Sequence, residues 1–193
     1  SVGGGSFLLA AANVFRTFGI SPTIIIKDLL WGIDLDPDAI RVTKTALALW
    51  ASEDQWVVTE NNLVTANSLE TGIDAFQSPP SKGFSAVIGN PPYIFTRELL
   101  TLEERKYFTN HYPTSFEKHN TYLLFMEAML RLLVNTGLGA FIVPNSWLTI
   151  ESAKLLRAKY LSHLHEIIDL NYEVFRRVSM EPCIYVVSGN DST

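Results

Sequence analysis

The chain has 193 residues, 47% of them apolar and 18% charged, which fits one globular domain with a sizeable core and excludes a disordered chain. The formal net charge is −5: residues 1–96 carry five basic and nine acidic side chains, and residues 97–193 carry ten and eleven. A protein that wraps nucleic acid through its own phosphate contacts shows a basic surplus, so any grip on DNA must come from a local patch or from another segment. Glu127 and Arg131 interrupt the best membrane-span candidate, residues 122–134, and no basic leader precedes the apolar stretch near Ser1. With a single cysteine, these features predict a cytoplasmic protein free of membranes and internal disulfides.

In chain order, a glycine-rich turn at residues 3–5 feeds a helix over 6–18, with Phe7, Leu8, Ala11, Phe15 and Phe18 on one face. A buried strand follows at 30–35. Asp36 and Pro37 then read as N-cap and first residue of a helix to Ala51. Strands at 62–66 and 84–88 flank a polar loop with Pro79, Pro80 and Gly83. Helices over 102–110 and 121–135 come next, the second stopping before Gly137 with Leu124, Phe125, Ala128, Leu132 and Leu133 as its core face. A strand at 140–143, a helix at 150–161 and strands at 166–170 and 183–187 complete the pattern. Such alternation predicts an α/β fold with a doubly wound, mostly parallel sheet. No repeat or domain boundary interrupts it, so residues 1–193 read as one domain. In such sheets, ligands bind where strands end.

Four strand ends carry the chemical signals. Asn90-Pro91-Pro92-Tyr93 follows the apolar strand at 84–88. The two prolines remove two N–H donors and keep two carbonyls in a stiff backbone, while Asn90 adds an amide oxygen and Tyr93 a flat π face. A rim rich in acceptors beside a stacking platform suits an exocyclic amino group on a planar base; the plainer reading is a proline turn. Gly3 and Gly5 open a helix and permit close backbone approach to a ligand, or form a flexible end. Asp34, ending its strand, can accept hydrogen bonds from ribose hydroxyls or be an incidental acid. Asn67-Ser68 can read the amino group of an adenine or simply make a turn.

Taken together, the order and separation of these sites resemble the amino-methylating class I S-adenosylmethionine-dependent DNA methyltransferases. The chain looks most like the adenine-N6 group of Type I and Type IIG restriction–modification systems. SVGGGSFL resembles that family's first motif, GIDLDPDAI its second, TANSL its third and NPPYI its fourth. The run from Asn120 to Leu148 resembles later motifs, as does the tail to Val187 with Asp169-Leu170 and Val174-Phe175.

This resemblance implies a Rossmann-like core that uses S-adenosylmethionine and acts on double-stranded DNA. By the same resemblance, Gly3, Gly5 and Phe7 line the methionine end of the cofactor, and Asp34 holds the ribose. Asn67, beside Ser68, stands where the family usually has an Asp facing the cofactor adenine. Asn90 and the Pro91 carbonyl, stiffened by Pro92, accept from the target amino group, and Tyr93 stacks on the flipped base. The family's first motif is preceded by a central strand and an acid-Pro, and its target-recognition region lies beyond the last strand. The chain is therefore expected to be a partial catalytic core, truncated at the N-terminus, that meets DNA largely through other segments, binds cofactor weakly and does not methylate DNA alone.

Several rivals remain weaker on the residues. Protein-glutamine methyltransferases also carry NPPY, but the stretch from Phe125 to Leu148 looks more like the DNA enzymes. A cytosine-C5 enzyme needs a nucleophilic cysteine, whereas Cys183 opens the apolar run CIYVV and reads as core. Asp38 with Glu104 and Lys106 makes only a scattered nuclease pattern. His111, His119, His163 and His165 form no metal-ligand set with Cys183.

Overall fold

The computed structural model describes residues 1–51, 62–93, 101–114, 120–170 and 181–189. His119 and the pair Val174-Phe175 lie outside them. The chain divides into two compact units, Ser1–Ser81 and Lys82–Thr193.

In the first unit, helix α1 (Ser6–Thr17) is followed by a helical turn, α2 (Pro22–Ile24), that runs on as a π-turn, Ile25–Leu29. Strand β1 (Gly32–Asp34), helix α3 (Pro37–Ala51), strand β2 (Leu63–Thr65) and the single turn α4 (Ser68–Thr71) complete it. β1 and β2 pair in parallel, Ile33 opposite Val64, and α3 lies in the crossover that a parallel pair requires. The core is aliphatic: Ala12, Ile25, Ile26, Leu30, Ile40, Leu47 and Leu63.

The face expected for α1 is corrected. Leu8, Leu9, Ala11, Ala12 and Phe15 turn to the core, whereas Phe7 and Phe18 are 40% and 75% exposed. At 3.6 residues per turn, residues 8, 11, 12 and 15 share a stripe about 100° wide and residues 7 and 14 fall outside it, while Phe18 is the C-cap past the last helical residue. Residues 22–29 are helical although they carry no clean helical period.

The second unit contains β3 (Phe84–Gly89), α5 (Leu102–His111), α6 (Thr121–Leu132), β4 (Leu133–Pro144), α7 (Lys154–Tyr160), β5 (Leu164–Asp169) and β6 (Pro182–Ser188). Its four strands lie in the order β3-β4-β6-β5. The first pair is parallel and the other two are antiparallel. The α/β class holds, and the sheet is mixed, because β6 alone runs against β3, β4 and β5. α6 ends at Leu132, short of the expected residue 135, since Leu133 already pairs with Phe84. The register then slips, so that Ala86 faces Leu138. Gly137 lies in the slipped stretch, where a Cβ would stand 2.8 Å from the Phe84 carbonyl oxygen.

Thr101 and Glu104 cap α5 reciprocally, and the hydrogen bonds from the Thr101 backbone and hydroxyl hold the Glu104 carboxyl below its ordinary pKa. Asp38 pairs with Arg41 at 3.0 Å on the surface, so the scattered nuclease pattern consists of surface and cap residues. α6 is buried on most sides, including Tyr122, Leu123, Met126 and the carboxylate of Glu127. Glu127 Oε2 accepts from the Thr114 backbone N–H at 3.2 Å and from its hydroxyl at 2.5 Å. Arg131 and Lys159 approach Oε1 at 2.9 and 3.5 Å. Trp147, Tyr160 and Tyr185 meet edge to face around this core. No helix among the described residues is long and apolar enough to cross a membrane.

Candidate active site

The glycine turn of the first unit is fixed by backbone groups. Val2 N–H donates to the Ile33 carbonyl at 3.0 Å and Gly5 N–H to the Val2 carbonyl at 3.1 Å. Gly3 N–H donates to Asp34 Oδ2 at 2.8 Å, and Asp36 N–H donates to Asp34 Oδ1 at 3.0 Å. Asp34 is 8% exposed, so its charge is met by two aligned donors and each oxygen keeps a further lone pair. The Thr43 hydroxyl, from α3, donates to the Gly3 carbonyl at 3.0 Å.

Gly3 and Gly5 take φ of 56° and 79°, a region that other residues enter only at a cost. A Cβ on Gly5 would lie 2.9 Å from Thr43 Cγ2, whereas one on Gly3 or Gly4 would meet nothing within 4 Å. The first position is closed by packing. The other two leave open space above an exposed backbone, with Phe7 on the first turn of α1. A carboxylate pinned beside an open turn at a helix start fits a ribose and the charged tail of a nucleoside-like cofactor.

Asn67 and Ser68 follow the end of β2, next to the end of β1, for Ala66 N–H donates to the Asp34 carbonyl at 2.9 Å. Asn67 caps α4: its Oδ1 accepts from Leu69 N–H at 3.2 Å, and its Nδ2 donates to Glu70 Oε1 at 2.8 Å. The second bond gives a physical reason for an amide at this position. An Asp would set a second carboxylate against Glu70.

In the second unit, Asn90-Pro91-Pro92-Tyr93 leaves the end of β3. Gly89 lets this strand end lie close to β4, where its Cβ would be 3.3 Å from the Phe141 ring. The Thr121 hydroxyl at the start of α6 donates to the Pro92 carbonyl at 2.5 Å. Tyr93 is half-buried; its ring meets Tyr122 edge to face, with centroids 6.2 Å apart and planes at 83°. The Tyr93 hydroxyl bonds Asn90 Oδ1 and the Ile142 carbonyl of β4, the latter at 2.9 Å. Burial, and secondarily the nearby Cys183 thiol, push the Tyr93 phenol well above its ordinary pKa, which keeps it protonated. Beyond it, the Tyr122 hydroxyl lies 3.4 Å from Ser146 Oγ.

Gly3 is thus joined directly to Asp34, Gly5 belongs to the same turn, Asn67 and Ser68 follow the neighbouring strand β2, and Asn90 through Tyr93 form a second group in the other unit. Thr43, Thr121, Tyr122, Ile142 and Ser146 were not anticipated. Thr121 reads in sequence only as a helix start, and Ile142 acts through a backbone carbonyl that no side-chain pattern reveals. Cys183 is fully buried in β6, and burial raises its thiol pKa, which suits a core residue rather than a nucleophile.

A family model described as Eco57I restriction-modification methylase matches residues 28–175. The chain is 26% identical over 194 residues to the Type II restriction enzyme and methyltransferase RM.Eco57I of Escherichia coli, across 86% of this chain and 19% of that protein. It thus spans about a fifth of that relative's length. Among solved structures, a nuclease-deletion mutant of the Type ISP restriction-modification enzyme LlaGI, in complex with a DNA substrate mimic, matches 99% of this chain and 20% of its own at 16% identity and a TM-score of 0.70. A protein of Listeria monocytogenes described as a class I S-adenosylmethionine-dependent methyltransferase matches 93% of this chain and 51% of its own at 16% identity and a TM-score of 0.60. At these identities the likeness of structures is one of fold.

Proposed function

We propose that this chain, which belongs to the Eco57I restriction-modification methylase family, is the catalytic domain of a site-specific DNA adenine-N6 methyltransferase. The observation that carries the reading is the Asn90-Pro91-Pro92-Tyr93 turn, a stiff rim of acceptors held at a strand end by Thr121 and by Tyr93 itself. The DNA complex formed by its structural neighbour supports double-stranded DNA as the partner. The open glycine turn beside Asp34 supports S-adenosylmethionine as the cofactor. A substrate of this kind and a lone buried cysteine fit a cytoplasmic protein.

S-adenosylmethionine supplies an electrophilic methyl group. When the cofactor is bound, the Asp34 carboxylate would hold its ribose hydroxyls, the backbone at Gly3 and Gly5 would allow close approach of its methionine end beside Phe7, and Asn67 and Ser68 would meet its adenine edge. In the second unit Asn90 Oδ1 and the Pro91 carbonyl each accept one hydrogen of the target amino group. That nitrogen is a poor nucleophile, because its lone pair is delocalised into the ring. Two acceptors favour its pyramidal form and aim the lone pair, a positioning effect worth up to roughly 7–11 kcal/mol in the best-oriented reactions. No base is needed beforehand, since the proton leaves to solvent after the methyl arrives. The target base must leave the duplex, at a few kcal/mol, and the Tyr93 ring offers it a stacking face.

The test is methylation of mixed duplexes by the full-length protein with labelled S-adenosylmethionine, followed by identification of the modified base. N6-methyladenine is expected. Asn90→Ala should cut the rate by about 10²–10³ or more, as loss of one aligned polar group does elsewhere, and leave cofactor affinity unchanged by calorimetry. A different modified base, or an Asn90→Ala variant as fast as wild type, would overturn the reading.

A further inference from the structure

Catalysis as read above needs the oxygen end of the Asn90 amide to face the target amino group, because the nitrogen end is a donor and opposes an N–H. The two ends have nearly the same shape, so hydrogen bonds rather than packing choose between them. The group next to Asn90 is the Tyr93 hydroxyl, which lies against Asn90 Oδ1 in the structure and also reaches the Ile142 carbonyl at 2.9 Å. A phenol carries one proton and cannot donate fully to both acceptors. When that proton goes to Ile142, the phenol oxygen is left as an acceptor and favours the NH2 end of Asn90. A half-turn of the amide meets that demand and leaves Oδ1 directed away from Tyr93.

We propose that the Tyr93 hydroxyl is a positioning group: by donating to the Ile142 carbonyl and accepting from Asn90 Nδ2, it orients the amide so that Oδ1 meets the target amino group. This deepens the methyltransferase reading of the same turn and rests on it. The pieces are rigid where the task requires it. Ile142 lies in β4, paired with β3 on one side and β6 on the other. The ring is braced by Tyr122, and Thr121 ties down the Pro92 carbonyl between the two residues. The raised phenol pKa keeps the hydroxyl a donor throughout the neutral range. The ring and the hydroxyl therefore have separable duties, stacking for one and orientation for the other.

Tyr93→Phe keeps the ring and removes the hydroxyl. In the full-length protein, single-turnover methylation should slow about tenfold, the scale of one lost hydrogen bond. KM for DNA, S-adenosylmethionine affinity and base extrusion, read by 2-aminopurine fluorescence at the target position, should stay at wild-type values. An unchanged rate overturns the proposal. So does a slower rate accompanied by lost fluorescence or a raised KM, which assigns the loss to the ring. Asn90→Asp supplies acceptors at both ends and has no orientation to set, so Tyr93→Phe in that background should cost little; an undiminished tenfold cost there also overturns it. If Asn90→Asp is too slow to follow, the split between rate and binding in the single variant decides. A wild-type protein that does not methylate adenine sinks the underlying reading instead, whereas an active wild type matched by Tyr93→Phe sinks only the positioning role.

Discussion

The glycine turn of the first unit and the Asn-Pro-Pro-Tyr turn of the second both close a strand, but they keep their shape by opposite means. Around Gly3 and Gly5 every polar contact has a backbone group on one side or both, with Asp34 and Thr43 as the side chains that meet it: Val2 to Ile33, Gly5 to Val2, Gly3 and Asp36 to the Asp34 carboxylate, and Thr43 to Gly3. Its surroundings are aliphatic. Around Asn90 the contacts run through side-chain hydroxyls and rings, from Tyr93, Thr121, Tyr122 and Ser146, above a core of Trp147, Tyr160 and Tyr185. A backbone-built site tolerates changes of side chain but not of φ. A side-chain-built site fails when one polar partner is deleted, because the other stays buried and unsatisfied.

The sharpest way to break this contrast is Glu127→Ala in the second unit. It leaves the backbone N–H and hydroxyl of buried Thr114 without their acceptor, at about 1–3 kcal/mol for each unsatisfied donor, while Arg131 and Lys159, 45% and 39% exposed, turn to solvent. Chemical denaturation should show that loss; a change below about 1 kcal/mol, the scale of an exposed ion pair, would show that the network is no better than a surface one.

Next in size are the glycines of the first unit. Gly5→Ala combines a left-handed φ with a Cβ placed 2.9 Å from Thr43 and should cost about 1–3 kcal/mol of stability. Gly3→Ala has the left-handed φ and free space around its Cβ, so it should lose less stability, about 1–2 kcal/mol, and more cofactor affinity. Gly19→Ala is the control, because it too has a left-handed φ with nothing within 4 Å but lies at the far end of α1. Thermal unfolding and calorimetry on the three variants separate the effects. Equal cofactor affinity in Gly3→Ala and Gly19→Ala would remove the glycine turn from the site.

The smallest effect is expected from Asn67→Asp. The cap to Leu69 survives, but the bond to Glu70 becomes a contact between two carboxylates, which should cost a few tenths of a kcal/mol. Glu70→Gln in the same chain should restore it. A stabilised Asn67→Asp would show that the contact with Glu70 does not explain the amide at this position.

Much of this arrangement was legible in the chain itself. The β–α alternation through residue 93, the Asp36-Pro37 helix start and the strand-ending positions of Asp34 and Asn90 rest on local signals, namely apolar runs, caps and prolines, and local signals survive folding. Elsewhere the outcome depended on partners distant in sequence. The apolar stretch around 130–135 continues a helical period, and only pairing of Leu133 with Phe84 turns it into strand. The antiparallel placement of β6 between β4 and β5 leaves no trace in periodicity, since a strand alternates identically in either direction.

The sequence by itself determined which chemical groups stand at the strand ends, because residue type and chain order are local properties. Only the tertiary structure decided which of those groups touch: that Asp34 clasps Gly3 across 31 positions, and that Tyr93 reaches Ile142 across 49. A hydrogen bond needs its donor and acceptor within about 3 Å, a condition met through the pairing of strands and seating of helices rather than through any motif.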